Sequence, residues 1–405
     1  MHARIGPAAA ALLVLAGLAA CGDDEAPAAT TTAPVTSLPP TTTVPATAAR
    51  PTPDARQASL AEGIAVSGAP GSVAVVLEGD ERWAGATGTA DLGAGTPADA
   101  AMPFRIASIT KPFVATLVLD AVARGELSLD DDVATLVPGL LQQPQPVTVR
   151  QLLDHSSGLF DETNDGDALA DIERIADPAL RAEAVATRDA LLAGQQVIAS
   201  AEVIVALSET HERYFDPGVG WHYSNTNYFL AGLVLEAVTG QSLADLLRTR
   251  IAEPLGLRAT TLAPPDLESP PLRGYDLTTD GSPPIDVTDD LVFMGNGAAG
   301  GIVSTADDTT RFFRALLAGE VLPPELLAEM EQPNVVSIAK GDAYGLGLAT
   351  YQLSCGTFYG HEGGVLGTAS FAVADATGER VAVMAQNARG AVAPYPALAE
   401  ALLCG

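Results

Sequence analysis

Ser108 and Lys111, in ASITK, stand three residues apart, and so do Ser337 and Lys340, in VSIAK; these are the chain's two lysines. A serine hydroxyl is a poor nucleophile and needs a base. A lysine three residues along a helix face can reach it. Ser108 heads the run PFVATLVLDAVARGEL, whose apolar residues recur at helical spacing and which Gly125 is placed to end. A helix start presents free N–H groups and positive potential, which suit a developing oxyanion, and the Ser108 N–H itself can donate to it. Ser337 runs into Gly341, Asp342 and Gly345, where no helix is expected. Ser108 is the expected nucleophile, and Ser337 a chance match to a short motif.

WHYSNTNY (221–228) places Tyr223 and Asn225 just before another helical pattern, and YGHEGGVLG (359–367) places His361, Glu362, Gly363 and Gly364 on an expected strand. A lysine with its ordinary pKa of about 10.4 is protonated at neutral pH, but burial lowers that value. A nearby Lys111 would favour the Tyr223 phenolate. Either group can serve as the general base, and the choice stays open. Asn225 offers a donor and an acceptor for a substrate amide. His361 is expected to carry partial charge near neutrality, so that an anionic substrate binds less well as pH rises. Gly363 and Gly364 let a substrate backbone pass close to the strand. Trp221 and Tyr228 fit either a cleft wall or the core. The five histidines, His2, His155, His211, His222 and His361, show no ligand spacing, and HEGGV is not H-E-x-x-H. No metal and no cofactor is expected. With no G-x-S-x-G elbow, an α/β-hydrolase is not indicated either.

Positioning these groups takes strands from both ends of the chain. Residues 72–80 and 81–91 read as a hairpin. Residues 147–159, 226–240, 242–257 and 305–319 read as helices, and 165–198 is acidic and helical in pattern. Residues 263–290 read as Pro- and Asp-rich loop. GLGLATYQLS, TFYGHEGG, GTASFAVAD and RVAVMAQN read as successive strands, and YPALAEALL as a closing helix. The simplest build is an α/β (α+β) domain over 56–405. Its sheet lobe takes in about 56–140 and 291–405, and a mostly helical lobe of about 141–290 is inserted. A cleft between lobes is a favoured place for a site.

Residues 1–20 have Arg4 followed by a short apolar run, and LAAC at 18–21 resembles a bacterial lipoprotein signal. Cleavage before Cys21 would leave that cysteine lipidated and the protein held on the outer face of the cell membrane. Residues 21–55 form a Thr/Pro/Ala-rich linker that buries too little to fold. Cys355 and Cys404 are an even pair in an exported chain, which points to a disulfide. The net charge of −29 argues against a nucleic-acid partner.

Ser-x-x-Lys, then Tyr-x-Asn, then His-x-Gly, in that order, resembles the penicillin-recognising serine hydrolases: class C β-lactamases, serine D-Ala-D-Ala carboxypeptidases and related esterases. LLDHSSGL (152–159) and AAGGIVSTADDTTRFFRALL (298–317) are similar to that family too. The resemblance covers about residues 60–400. It implies a β-lactamase-like fold, an antiparallel sheet flanked by helices. It implies an acyl-enzyme on Ser108, with Gly364 N–H as second oxyanion donor, and β-lactams as covalent ligands. D-Ala-D-Ala carboxypeptidase action on peptidoglycan peptides leads, because histidine at 361 occurs in such peptidases where class C β-lactamases carry lysine. Glu362 departs from the family's Thr or Ser and raises esterase or amidase action on uncharged substrates. A slow penicillin-binding sensor or scaffold is the reading from another class.

Overall fold

The computed structural model describes residues 50–195, 197–262, 272–278, 280, 282–289, 297–341, 343–389 and 395–405. The expected signal peptide, Cys21 and nearly all of the linker lie outside the described residues.

The first described element is helix α1 (Pro53–Ser67), whose N-cap Thr52 accepts from the Ala55 N–H. Arg56 on this helix is buried, with its guanidinium on Glu78 and on the Leu402 carbonyl. The hairpin expected at 72–91 is present as β1 (Gly71–Glu78) and β2 (Glu81–Asp91). Two-residue strands β3 (Thr96–Pro97) and β4 (Phe104–Arg105) follow. Helix α2 (Thr110–Ala123) comes next and is buried on nearly every side, as an apolar all-round helix must be.

The middle of the chain is mostly helical. It includes α3 (Glu162–Asp165) and α4 (Asn225–Thr239), the latter ended by Gly240 in the left-handed conformation. The stretch read as loop at 263–290 also carries two-residue strands, β6 (Tyr275–Asp276) and β7 (Ile285–Asp286), after β5 (Thr261–Leu262). Strand β8 (Ile302–Ser304) pairs with β4 and β5, and α5 (Ala306–Leu317) follows, capped by Thr305. Strands β9 (Ala349–Leu353), β10 (Gly356–Val365), β11 (Thr368–Asp375) and β12 (Arg380–Gln386) follow, before β13 (Ala388–Arg389) and helix α6 (Tyr395–Leu403).

The main sheet runs β3-β2-β1-β12-β11-β10-β9, every neighbouring pair antiparallel. Chain start and chain end thus meet at β1 and β12. Side-chain alternation sorts the two faces. Ala74, Val76, Phe371, Val373 and Met384 pack against Leu60 of α1 and Leu398 and Leu402 of α6. Val73, Val75, Ala372, Val381 and Val383 belong to the larger core with Phe113 of α2 and Phe312 of α5, whose rings stack at 3.6 Å. A disulfide joins Cys355, at the β9–β10 turn, to Cys404 at the end of α6.

Candidate active site

Ser108 sits in a 3-10 turn, Ala107–Ile109, that leads straight into α2. Ala107 holds a positive φ of 51°, a conformation that costs a non-glycine residue and that the surroundings must impose. They do so from two sides. The Ile106 N–H donates to Ile302 O of β8 at 3.0 Å, and the Ser370 hydroxyl of β11 donates to Ile106 O at 2.8 Å. Strand β10 packs on the same turn through Gly363, where a Cβ would stand 2.1 Å from Ser370 Oγ and 2.5 Å from Ile106 O. Glycine at 363 is thus required for the strand to approach the serine.

Lys111 lies one turn further on, fully buried. Its Nζ is 3.0 Å from Ser108 Oγ, 2.7 Å from Asn225 Oδ1 and 2.7 Å from the Ala299 carbonyl. The last two are acceptors only; the serine hydroxyl can accept or donate. A neutral lysine therefore keeps its two N–H bonds to Asn225 and Ala299 and turns its lone pair on the Ser108 proton. Burial favours that form, lowering Lys111 to about 7 against the opposing charge of Asp161.

Tyr223 stands across the serine, and Lys111 Nζ lies 4.9 Å from its ring centroid. Burial pushes its phenol up, more than a hydrogen bond with Ser108 brings it down. The phenolate expected as one of two possible bases is disfavoured here, because burial penalises its charge.

Asn225, the first residue of α4 and expected to grip substrate, borders the cleft with its amide engaged by the protein. Its Oδ1 is held by Lys111, and its Nδ2 donates to Thr163 Oγ1 at 2.8 Å and approaches both oxygens of buried Asp161 at 3.3 and 3.4 Å. Every polar atom of the amide is committed to the protein. Asn225 positions Lys111.

His361 also departs from expectation. It is 4% exposed on β10, its Nδ1–H donates to the Glu362 carbonyl, and its Nε2 accepts from the Tyr344 hydroxyl at 2.9 Å. Burial, then the Lys111 charge, lowers its pKa to about 3. The ring is neutral at physiological pH and offers no partial positive charge to an anion. Glu362, its neighbour on the alternate face, is exposed on the cleft wall, and what burial it has pushes its carboxyl up.

These groups border a cleft of about 590 Å³, walled by Trp221, Tyr223, Tyr344, Tyr351 and Glu362, with Ser108, Asn225, Gly363 and Gly364 at its rim or floor. Among the cleft's described lining residues there is no Lys or Arg. Trp221 Nε1 and Thr350 Oγ1 line it without a hydrogen-bond partner in the protein. Trp221 thus belongs to the cleft, while Tyr228 is core, its hydroxyl donating to Leu153 O.

Ser337 is not brought here. It lies on a short helix, Val335–Lys340, where none was expected, because Asn334 caps it by accepting from Val336 N–H. Its buried hydroxyl is tied to Asn334 O and to the Tyr344 N–H.

The sequence reading missed His155, Asp161, Thr163 and Tyr344. His155 is buried with a positive φ of 61°, and its ring packs 4.4 Å from that of Tyr223. Its Nδ1 accepts from the Ser224 N–H, which fixes the turn carrying Tyr223 and Asn225. No local spacing announces any of the four, since each acts on a partner distant in sequence.

The Beta-lactamase family model matches residues 57–404. Esterase EstB of Burkholderia gladioli is 32% identical over 311 residues, 68% of this chain and 74% of that protein. A D-aminopeptidase of Brucella anthropi is 29% identical over 74% of this chain and 52% of its own length. Among solved structures, a D-stereospecific amidohydrolase from Streptomyces sp. superposes with a TM-score of 0.72 at 34% identity, covering 88% of this chain and 99% of that one. A D-amino acid amidase from Ochrobactrum anthropi SV3, complexed with D-phenylalanine, gives 0.68 at 26% identity, covering 86% and 97%.

Proposed function

Given that the chain belongs to the β-lactamase family of serine hydrolases, we propose that it hydrolyses amides and esters through an acyl-enzyme on Ser108. Its preferred substrates carry no carboxylate beside the scissile bond. One observation carries the chemistry: Lys111 Nζ stands 3.0 Å from Ser108 Oγ with its other two contacts fixed on obligate acceptors. Lys111 takes the hydroxyl proton as Oγ bonds to the carbonyl carbon. The Ser108 and Gly364 N–H groups face the oxyanion. As the acyl–leaving-group bond breaks, the proton passes to the departing amine or alcohol, with the Tyr223 hydroxyl as relay. Water then cleaves the acyl-enzyme by the same groups in reverse.

The substrate class rests on charge. A neutral His361, an exposed Glu362 and a described lining without Lys or Arg disfavour the C-terminal carboxylate of a D-Ala-D-Ala peptide. Amide or ester hydrolysis therefore stands ahead of the carboxypeptidase and β-lactamase readings. The D-amino acid amidase and D-stereospecific amidohydrolase among the solved relatives support D-amino acid amides as the first substrates to try.

The test combines product release with intact-protein mass after exposure to a D-amino acid amide, an activated ester, a D-Ala-D-Ala peptide and a penicillin. Turnover and adducts are expected to vanish in Ser108→Ala and to persist in Ser337→Ala. Adducts lost only in Ser337→Ala would sink the site assignment. A D-Ala-D-Ala peptide turned over faster than the amide and ester would sink the substrate class.

We propose further that the chain is exported and held to the membrane by lipid on Cys21. The Cys355–Cys404 disulfide supports an oxidising compartment. Mass analysis of the mature N-terminus in the wild type and in Cys21→Ala decides it; an unmodified, uncut N-terminus would sink this reading.

A further inference from the structure

Beside the cleft, Glu162, Asp171 and His211 turn their side chains toward one another. One ligand atom from each lies within 4.8 Å of the other two. His211 Nε2 is 2.7 Å from Asp171 Oδ2 and 3.8 Å from Glu162 Oε2. Glu162 is 3% exposed, and neither of its carboxylate oxygens has a hydrogen-bond partner. A buried carboxylate is ordinarily hydrogen-bonded, paired or bound to a metal. Among the described residues no Lys or Arg forms an ion pair with Glu162; the Arg174 guanidinium goes to Asp171 Oδ1 at 2.9 Å. Acids alone would make a weak case. Here an imidazole completes the set, and the unpartnered carboxylate points at it.

We propose that Glu162, Asp171 and His211 bind a divalent first-row transition ion of the zinc type, at a site separate from Ser108. An imidazole nitrogen and two carboxylate oxygens form a donor set that zinc accepts, with a fourth position left for water. Ligands about 2.1 Å from a tetrahedral zinc stand about 3.4 Å apart. The ion would part His211 Nε2 slightly from Asp171 Oδ2 and draw Glu162 Oε2 inward. Arg174 keeps the second Asp171 oxygen and orients that ligand. Phe160 stacks on the His211 ring at 4.0 Å and fixes its plane. The His211 side chain is 24% exposed, so the ion can arrive from solvent on that side. Glu162 sits between Asp161 and Thr163, the two partners of Asn225 Nδ2. Metal at this point would brace the segment that holds Asn225, without touching a reacting atom.

The experiment is zinc uptake by the full chain, by equilibrium dialysis with elemental analysis, for the wild type, Glu162→Gln, Asp171→Asn and His211→Ala. The expected result is one zinc per wild-type chain and at least tenfold weaker binding in each variant. The wild-type Tm should also rise with free zinc and the variants' should not. Glu162→Gln and Asp171→Asn keep side-chain shape, and covalent labelling of Ser108 reports a native fold in each. His222 and Asp165, 3.9 Å apart, remain in every variant and set the background. No uptake by the wild type overturns the proposal. So does equal uptake by all four proteins, and so does loss confined to His211→Ala, which would describe a lone histidine.

Discussion

The Tyr344 hydroxyl donates to His361 Nε2 at 2.9 Å, while the opposite ring nitrogen of His361 donates to a backbone carbonyl. Burial, with the Lys111 charge added, holds the ring neutral, and in that state its Nδ1–H and its Nε2 lone pair are each matched by a partner. The cleft wall thus carries no positive charge at residue 361. His361→Lys should therefore shift selectivity. The ratio of kcat/KM for a D-Ala-D-Ala peptide to that for a neutral ester is expected to rise about tenfold or more, the scale of one charge-assisted hydrogen bond. An unchanged ratio, with the ester still turned over, would show that residue 361 does not sense substrate charge.

The pH dependence of acylation follows from Lys111, lowered to about 7 by burial. The neutral amine is the active form, so kcat/KM should rise about tenfold per pH unit below 7 and level off above about 8. His361, at about 3, adds no limb between pH 5 and 9. A profile that falls through pH 6 to 7 would instead require a protonated histidine, as the sequence alone suggests.

Asn225→Ala removes one of the acceptors that aim Lys111 at the serine. A loss in kcat of about 10²-fold or more is expected, the scale of misplaced general-base catalysis, with KM little changed. A rise in KM at constant kcat would return Asn225 to the role of substrate grip.

Cys355→Ser and Cys404→Ser each open a loop whose ends are 49 residues apart in sequence. The chain-entropy account puts the loss at about 4 kcal/mol. Urea unfolding measures it, and because the bridge lies on the α6 side of the sheet, labelling of Ser108 in the folded fraction should persist. Equal stability with and without reductant would contradict a closed disulfide.

Gly363→Ala should cost far more activity than its size suggests. Its Cβ would meet Ser370 Oγ and Ile106 O well inside contact distance and push β10 off the turn that carries Ser108. Acyl-enzyme formation is expected to drop by at least about 10²-fold, consistent with a misplaced reacting group. Wild-type labelling rates in this variant would mean that the strand tolerates displacement.

Local signals were legible. The hairpin, the late run of strands and the helix after Ser108 each announce themselves by a period of side chains or by a turn residue, and each is present. The helix at Ser337 was not legible, because a six-residue helix depends on the Asn334 cap and on its neighbours more than on periodicity. What sets Ser337 apart is its burial and its ties to Asn334 and Tyr344. The short strands β6 and β7 were missed for a similar reason, since two residues cannot show an alternation.

By itself the sequence determined the order of the main strands and the pairing of Ser108 with Lys111, because side-chain alternation and a three-residue spacing on a helix are local facts. The tertiary structure decided what those groups are chemically. Lys111 is brought down to a pKa of about 7 by burial and aimed by acceptors 114 and 188 residues away. His361 loses its charge to burial, the Asn225 amide is engaged by the lysine, and Glu162 meets His211. Charge, desolvation and hydrogen-bond partners are properties of an environment, and the environment of each of these residues is built from segments remote in the chain.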